Sequence, residues 1–216
     1  MKKLSSLMIA FVLVLCFAAP AWVQEAKPIQ LPAPQMDGGR PFMEVLKDRA
    51  TNRNFGSDPI PQQELSNLLW AADGINRPDS GKRTAPTAMD RREIDIYVVT
   101  ADGAFLWDPK ANTLSPVAAG DLRTATGGQD FVKVAPLDLV FVADYAKMGE
   151  RGKQMHELYS WVDTGYISQN VYLYCANAGL ATVVRGMVDR DALAKTLNLR
   201  PDQKIVMAQT VGYPKK

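Results

Sequence analysis

The stretch "DTGYISQNVYLYCANAGLAT", Asp163–Thr182, decides the fold of this chain. Up to Ala178 it belongs to a long helix that the pattern predicts from about Gly152. Its aromatic and aliphatic side chains cover nearly the whole circumference, and such a helix needs packing partners on several sides. The stretch therefore predicts a central helix that packs against the rest of its own domain and is too apolar for the surface of a monomer.

Short elements follow this helix, and a buried strand precedes it. "LATVVRGM" at Leu180–Met187 predicts a strand, "RDALAKTL" predicts a short helix and "KIVMAQTVGYP" predicts a last strand. "PLDLVFVADY" at Pro136–Tyr145 is a continuous apolar run bounded by turn residues. Such a run favours a central strand that is buried on both faces.

Further upstream, turn signals divide residues 92–118, "REIDIYVVTADGAFLWDPKANTLSPVA", into antiparallel strands. Two helices are predicted earlier, at Pro41–Lys47 and at Pro61–Ala72, because apolar residues recur there at helical spacing and proline suits a first helical position. Strands and helices do not alternate strictly. The fold class is therefore α+β, with a mixed or antiparallel sheet flanked by helices.

The N-terminal residues have the features of an export signal. Two lysines precede an apolar core from Leu7 to Ala18, and Ala19–Ala21 supplies a small-x-small cleavage site. Residues 1–21 are predicted to be a signal peptide that sends the protein to the periplasm, with no stable membrane insertion after cleavage. An uncleaved membrane anchor is the alternative.

Charge and composition limit the kinds of function and of site that this chain can have. Cleavage would remove Lys2 and Lys3 and lower the formal net charge from +2 to zero, so no global basic field argues for nucleic acid. Of the two cysteines only Cys175 would remain, which excludes an intramolecular disulfide. Cys175 and the single histidine, His156, do not make up a usual set of metal ligands. Residues 22–40 are predicted to form an extended leader and residues 41–216 a single domain.

The stretch "KDRATNRNFG", Lys47–Gly56, places two arginines around a hydroxyl group. Arg49 and Arg53 are four residues apart, with Thr51 between them, at what looks like the end of a helix. A guanidinium stays charged near neutral pH and matches phosphate oxygens with a planar fork of donors. If the backbone is helical there, both arginines point to the same side. The pattern suits a phosphate monoester, and a solvated surface is the alternative.

Four segments in the same order resemble the FMN-dependent nitroreductase family, particularly its branch related to the peptide thiazoline and oxazoline dehydrogenases. They are "RATNRNF", "LLWAADGINRPDSGKRTAPTA", "DTGYISQNVYLYCANAGLAT" and "VVRGM". The resemblance spans about Phe42 to the C-terminus. It implies a nitroreductase-like fold that binds FMN, and a homodimer with the long helix in its interface.

The resemblance also implies roles for individual residues. Arg49 and Thr51 would hold the FMN phosphate, and Arg53 would reach the ribityl chain or the pyrimidine edge. The Gly186 backbone amide would meet the flavin N5. The loop from Pro86 would line the ring, with Asp90 at a position often held by Asn and paired with Arg83, Arg91 or Arg92. The full set of predicted cofactor-binding residues is Arg49, Ala50, Thr51, Arg53, Pro86, Thr87, Ala88, Asp90, Arg185, Gly186 and Lys215, with Lys216 as the alternative C-terminal phosphate contact.

The implied function is a two-step electron transfer from a donor to a nitroaromatic, quinone or related small acceptor. The flavin would carry the chemistry, so no catalytic side chain is required. The donor would be NAD(P)H or, because little NAD(P)H exists outside the cytoplasm, an exported electron carrier. Two alternatives stay open: an exported flavin-binding or scavenging protein without turnover, and a binding protein that has lost flavin. The residues do not distinguish FMN from FAD.

Overall fold

The computed structural model describes residues 27–216, and it contains four α-helices within that range. Helix α1 is Phe42–Asp48, α2 is Gln62–Asp73, α3 is His156–Ala178 and α4 is Arg190–Thr196. The first two begin directly after Pro41 and Pro61, as predicted to within a residue. Helix α3 begins four residues later than predicted, because residues 153–155 form a 3₁₀ turn after Gly152 in the left-handed conformation. It ends where predicted, at Gly179 with φ 71°, a conformation that glycine adopts without strain.

Nine strands form two antiparallel sheets in the described residues. They are β1 (Ile29–Gln30), β2 (Ile75–Arg77), β3 (Lys82–Arg83), β4 (Ile94–Val99), β5 (Gly103–Asp108), β6 (Thr113–Ala119), β7 (Leu137–Asp144), β8 (Ala181–Arg185) and β9 (Gln203–Gly212). The main sheet has the order β1-β6-β5-β4-β7-β9-β8, and β2 pairs with β3 in a separate hairpin. Every strand pair is antiparallel. The α+β prediction is therefore confirmed, in its antiparallel form.

Strand β7 lies at the centre of the core, and all eight of its residues are buried. Leu139 and Phe141 pack on one face of the sheet with α2 and α3. Val140 and Val142 point to the other face and pack with α4. This alternation follows from the two-residue period of a strand. Each fully buried large side chain contributes on the order of 1.5–3 kcal/mol, which fixes the register of the sheet that carries the functional residues.

The described part of the segment assigned to the leader, residues 27–40, packs against the domain. Strand β1 extends the main sheet by pairing with β6, and Leu31 is buried in the same core as α2 and α3. Near its end, Arg40 pairs with Asp48 of α1. The folded unit thus includes residues from Ile29 onward. The predicted signal peptide, residues 1–21, lies outside the described residues.

None of the helices in residues 27–216 combines the length and the hydropathy that crossing a bilayer requires.

Candidate active site

The segment that follows α1 runs along the free edge of β8. The Asn52 amide donates to the Thr182 carbonyl at 3.0 Å, and Phe55 bridges to Pro214. The helix has already ended at Asp48. The premise that Arg49 and Arg53 share a helical face is therefore wrong, because this backbone is used to cover a sheet edge. The spacing of the two arginines instead spreads them along the edge.

Tyr172 of α3 ties this segment to the sheet. Its hydroxyl oxygen lies 3.0 Å from the Thr51 hydroxyl and accepts a 3.0 Å hydrogen bond from the Val184 amide. The Arg49 guanidinium stands 5.5 Å from the centre of the Tyr172 ring, within cation–π range. One side chain therefore positions Arg49 and Thr51 relative to β8.

The C-terminal residues join the same edge. The Lys215 amide donates to the Asn54 carbonyl at 2.9 Å, and the Gly56 amide donates to the Tyr213 carbonyl at 2.8 Å. Lys215 thus lies next to the residue that follows Arg53. Among the described residues, Arg49, Arg53 and Lys215 form no salt bridge. The three cations therefore lie along one sheet edge with the Thr51 hydroxyl, and a set of donors of this kind suits a dianionic ligand.

Arg185 is the last residue of β8, and Gly186 follows it. The Arg185 side chain is buried, whereas Gly186 is exposed. The Arg185 guanidinium is buried and donates to Asp138 at 2.9 Å, to Thr210 at 2.9 Å and to the Thr126 carbonyl at 2.7 Å. The Arg185 guanidinium therefore binds partners inside the domain, and a contact between Arg185 and the cofactor stays a prediction. Gly186 is exposed, and no atom of residues 27–216 outside its chain neighbours lies within 4 Å of where its Cβ would be. The backbone there is open to a flat ligand.

A second group of predicted site residues lies on the loop before β4. The Ala88 amide donates to the Asp163 carboxylate of α3 at 2.8 Å, and the Thr87 hydroxyl donates to the Glu93 carboxylate at 3.1 Å. Asp90 pairs with Arg92 at 2.7 Å, one of the three partners that the sequence suggests for it. The Arg92 side chain lowers the pKa of Asp90. Pro86 lies on the exposed side of this loop.

The two groups of site residues thus contact different positions along α3 of the same chain. Tyr172 holds the group at Thr51, and Asp163 holds the group at Ala88. Nine residues separate these two anchors, which corresponds to about 13 Å along a helix axis. These two groups, here called the two half-sites, are therefore anchored at separate points of α3.

Comparison with known proteins decides the family. The model of the family described as "Nitroreductase family" matches residues 46–213. The chain belongs to the nitroreductase family. This membership assigns it to the nitroreductase-type oxidoreductases, and the predicted resemblance is confirmed.

Solved structures of other proteins share the nitroreductase fold. A protein described as a nitroreductase from Ralstonia eutropha is 42% identical, with a TM-score of 0.85 over 89% of this chain and 92% of its own. One chain of the E. coli McbBCD microcin synthetase complex has a TM-score of 0.68 at 18% identity, over 96% of this chain and 85% of its own. The NADPH:FMN oxidoreductase of Vibrio harveyi has a TM-score of 0.60 at 20% identity, over 81% of this chain and 69% of its own. At these lower identities the likeness shows the fold alone.

In this nitroreductase fold, some residues that contact the predicted site residues were not themselves predicted from the sequence. Tyr172 was not singled out, although a tyrosine within an apolar helix needs a partner for its hydroxyl. Glu93 and Asp163 are not among the predicted site residues. Asp163 is a charged residue among apolar and small residues, which is a signal, whereas Glu93 follows the charged stretch Asp90–Arg92 and has none. Their roles are positional, since they hold the backbone and hydroxyl groups of the loop before β4.

Other conspicuous residues have structural roles in this nitroreductase. Cys175 is buried in the core, as expected for a small hydrophobe, and burial raises the pKa of its thiol. His156 is the first residue of α3, where it is buried 5.5 Å from Tyr145 between ring centres. No group of His, Cys, Asp and Glu residues within 27–216 is arranged to hold a metal ion.

Proposed function

We propose that this protein is an FMN-dependent oxidoreductase of nitroreductase type that passes electrons from a donor to a nitroaromatic, quinone or related small acceptor. One observation carries the proposal: Arg49, Thr51, Arg53 and Lys215 lie along one sheet edge and their cations form no salt bridge within the described residues, with the open backbone of Gly186 directly after β8. This arrangement offers donors for a phosphate and room for a flat ring. Family membership supports the same reading.

The hydrogen-bond donors and the positive charges at this edge match the phosphate and the ring of FMN. Arg49, Lys215 and the Thr51 hydroxyl would hold the phosphate, and Arg53 would stabilise negative charge at the pyrimidine edge of the ring. The Gly186 amide would orient the ring by a hydrogen bond. FMN, when bound, supplies the acceptance and release of two electrons. The residues of this chain bind it, orient it and leave one face accessible to small molecules.

The protein is further proposed to act as a homodimer. The two half-sites lie about 13 Å apart along α3, and a second copy would bring the loop of one chain to the phosphate-binding edge of the other. The surface supports this arrangement, because large apolar side chains on α1 and on the first half of α3 are exposed, namely Phe42, Met43, Leu46, Leu158, Trp161, Val162 and Tyr166. On each of the two helices these side chains are close in sequence, and groups of exposed apolar side chains favour an interaction surface.

Export and the electron donor complete the proposal. The N-terminal signal supports a periplasmic location, where an exported electron carrier would take the place of NAD(P)H. The Vibrio harveyi neighbour is an NADPH:FMN oxidoreductase, which supports nicotinamide as a donor in solution. Fractionation of cells that express the full chain should find the protein in the periplasm, shortened by about 21 residues; an uncleaved cytoplasmic protein would contradict this part.

Binding of FMN is tested first. The purified protein should be yellow, and mass spectrometry of the released chromophore should identify FMN. Arg49→Ala should weaken FMN binding about 10- to 150-fold, because a charge-assisted phosphate contact contributes about 1.5–3 kcal/mol. Lys204→Ala is the matched control, since it removes an exposed cation at the opposite end of β9 from Tyr213. Equal affinities for the two variants would remove Arg49 from the site.

Turnover is tested separately. Stopped-flow mixing with NADH, NADPH or an artificial donor should bleach the flavin absorbance, and a nitroaromatic or a quinone should restore it. A protein that retains FMN but is not bleached by any donor would instead be a flavin-binding or scavenging protein. A colourless protein that is indifferent to added flavin would end the flavin proposal altogether.

A further inference from the structure

Two buried carboxylates lie directly behind the loop of residues 86–92. Glu93 is 0% exposed and Asp163 is 3% exposed. Glu93 accepts the hydrogen bond of the Thr87 hydroxyl, and Asp163 accepts that of the Ala88 amide. Each of the two loop residues expected to face the ring is therefore held by its own acidic side chain.

The loop depends on these contacts because its backbone is strained. Met89, Asp90 and Arg92 have φ values of 58°, 55° and 53°, and a non-glycine residue in such a conformation costs on the order of 1 kcal/mol or more. The Thr87 hydroxyl also accepts a 3.0 Å hydrogen bond from the Arg92 amide. The Thr87–Glu93 bond thus closes the loop on itself, and the Asp163–Ala88 bond anchors it to α3.

The charges of the two carboxylates are not compensated. Both line a cavity of about 10 Å³, and within residues 27–216 the Oε1 atom of Glu93 is buried without a hydrogen-bond partner. Burial, and then the neighbouring Asp163 carboxylate, raises the pKa of Glu93. Two carboxylates at one buried site do not both ionise readily, and a proton on Glu93 would satisfy the orphaned oxygen.

The surrounding charged groups are committed elsewhere. On α2, Asp73 pairs with Arg83 of β3. Arg92, which also lines the cavity, pairs with Asp90. On β4, Asp95 pairs with Lys147. The phenol of Tyr145 lies after β7, and the buried His156 lies 5.5 Å from it between ring centres. No cation of the described part of the chain pairs with Glu93 or Asp163, so a shared proton is the available compensation.

We propose that Glu93 and Asp163 are positioning residues that share one proton, and that this protonated pair holds Thr87 and Ala88 against the ring. The proposal rests on the proposed function of the loop as one wall of the flavin site. When the pair releases its proton to solvent at higher pH, two adjacent negative charges repel each other. The hold on the strained loop then loosens, and the ring loses that wall.

Two conservative variants separate the charge from the hydrogen bonds. Glu93→Gln keeps an oxygen that accepts from Thr87, and its amide group donates toward Asp163, so it imitates the protonated pair at every pH. Asp163→Asn does the same from the other side. Wild-type affinity for FMN should fall at least tenfold as pH rises through the range in which the pair releases its proton, in a scan that starts above the second pKa of a phosphate near 6. Both variants should stay flat over this range.

The matched control is Glu157→Gln, an exposed carboxylate on α3, which should retain the wild-type pH profile. Glu93→Ala removes the acceptor as well and should bind FMN weakly at every pH. Rescue by glutamine but not by alanine would distinguish the shared proton from a purely structural role. A wild-type profile as flat as that of Glu93→Gln would overturn the inference.

A second readout needs no flavin. Infrared spectra of the apoprotein at pH 7 should contain a carboxylic-acid carbonyl component that Glu93→Gln removes and that Glu157→Gln leaves in place. If wild-type protein binds FMN but neither the band nor the pH profile responds to Glu93→Gln, the inference fails and the proposed function stands. If wild-type protein does not bind FMN, the proposed function fails and the ring-positioning role fails with it, whatever the band shows.

Discussion

The hydroxyl oxygens of Thr51 and Tyr172 lie 3.0 Å apart, and the Tyr172 oxygen also accepts from the Val184 amide. Either hydroxyl can donate in this pair, because the phenolic oxygen of Tyr172 both donates and accepts. In both arrangements Tyr172 holds the Thr51 hydroxyl. The helix α3 thereby positions a hydroxyl group at the edge of β8.

Tyr172→Phe should lower FMN affinity with little loss of stability. The variant keeps the ring beneath Arg49 but removes the hydroxyl, and a hydrogen bond of this kind is worth about 1–1.5 kcal/mol. Affinity should therefore fall about five- to tenfold, measured by fluorescence titration with FMN. Tyr159→Phe, about 20 Å nearer the start of α3, should bind as wild type does. Equal affinities in the two variants would show that Thr51 needs no partner on α3.

The buried pair of Arg185 and Asp138 should be a stability element. Their side chains are 2% and 0% exposed, burial lowers the pKa of Arg185, and burial raises the pKa of Asp138 to about 6 against the opposing effect of Arg185. Asp138→Ala leaves an uncompensated charge in the interior and should lower the free energy of unfolding by about 3–5 kcal/mol.

The double variant Asp138→Leu/Arg185→Met should recover most of that loss, because apolar residues of similar volume replace a buried ion pair at little cost. Urea unfolding at pH 7 measures both variants. A loss below about 1 kcal/mol in Asp138→Ala would mean that water or the neighbouring Thr126 and Thr210 compensate the arginine.

Much of this fold follows from local sequence signals. Proline marks the starts of α1 and α2, and the unbroken apolar run of β7 correctly indicates a strand that is buried on both faces. The end of α3 is set by Gly179. Each of these features depends on the conformational preference or the hydrophobicity of adjacent residues, so a single sequence contains the information.

Features that depend on distant contacts could not be predicted in the same way. The sequence analysis took Arg185 as a cofactor ligand because it adjoins Gly186, but its partner Asp138 lies 47 residues away on another strand. A lone Asp in the β7 run and a lone Arg in β8 are together the signal for such a pair. The order of the sheet, with β9 between β7 and β8, likewise depends on long-range pairing that no local pattern specifies.

Asp73 should make stability depend on pH. Burial raises the pKa of this carboxyl to about 7, although Arg83 opposes the shift. Between about pH 4 and pH 7 the folded protein therefore binds a proton that the unfolded chain has released. The contribution of Asp73 to stability falls as pH rises through this range and is constant above it.

Asp73→Asn should remove that contribution while keeping an oxygen that accepts from Arg83. Relative to the variant, the wild-type free energy of unfolding should decrease by on the order of 2 kcal/mol between pH 4.5 and pH 8. Urea unfolding at several pH values measures the difference, with the exposed Asp79→Asn as control. A difference that is constant with pH would mean that the Asp73 pKa is not raised.

The exposed apolar face of α3 gives the sharpest test of the proposed dimer. Leu158, Val162 and Tyr166 are spaced four residues apart, so they share one face of the helix. Val162→Glu places a charge in that face and should convert the dimer to a monomer, with the flavin lost as the two half-sites separate. Ala119→Glu is the control, because Ala119 is exposed at the end of β6, on the opposite side of the main sheet from β8. Sedimentation velocity with detection at the flavin absorbance measures mass and cofactor together, and a Val162→Glu protein that remains a yellow dimer would place the interface elsewhere.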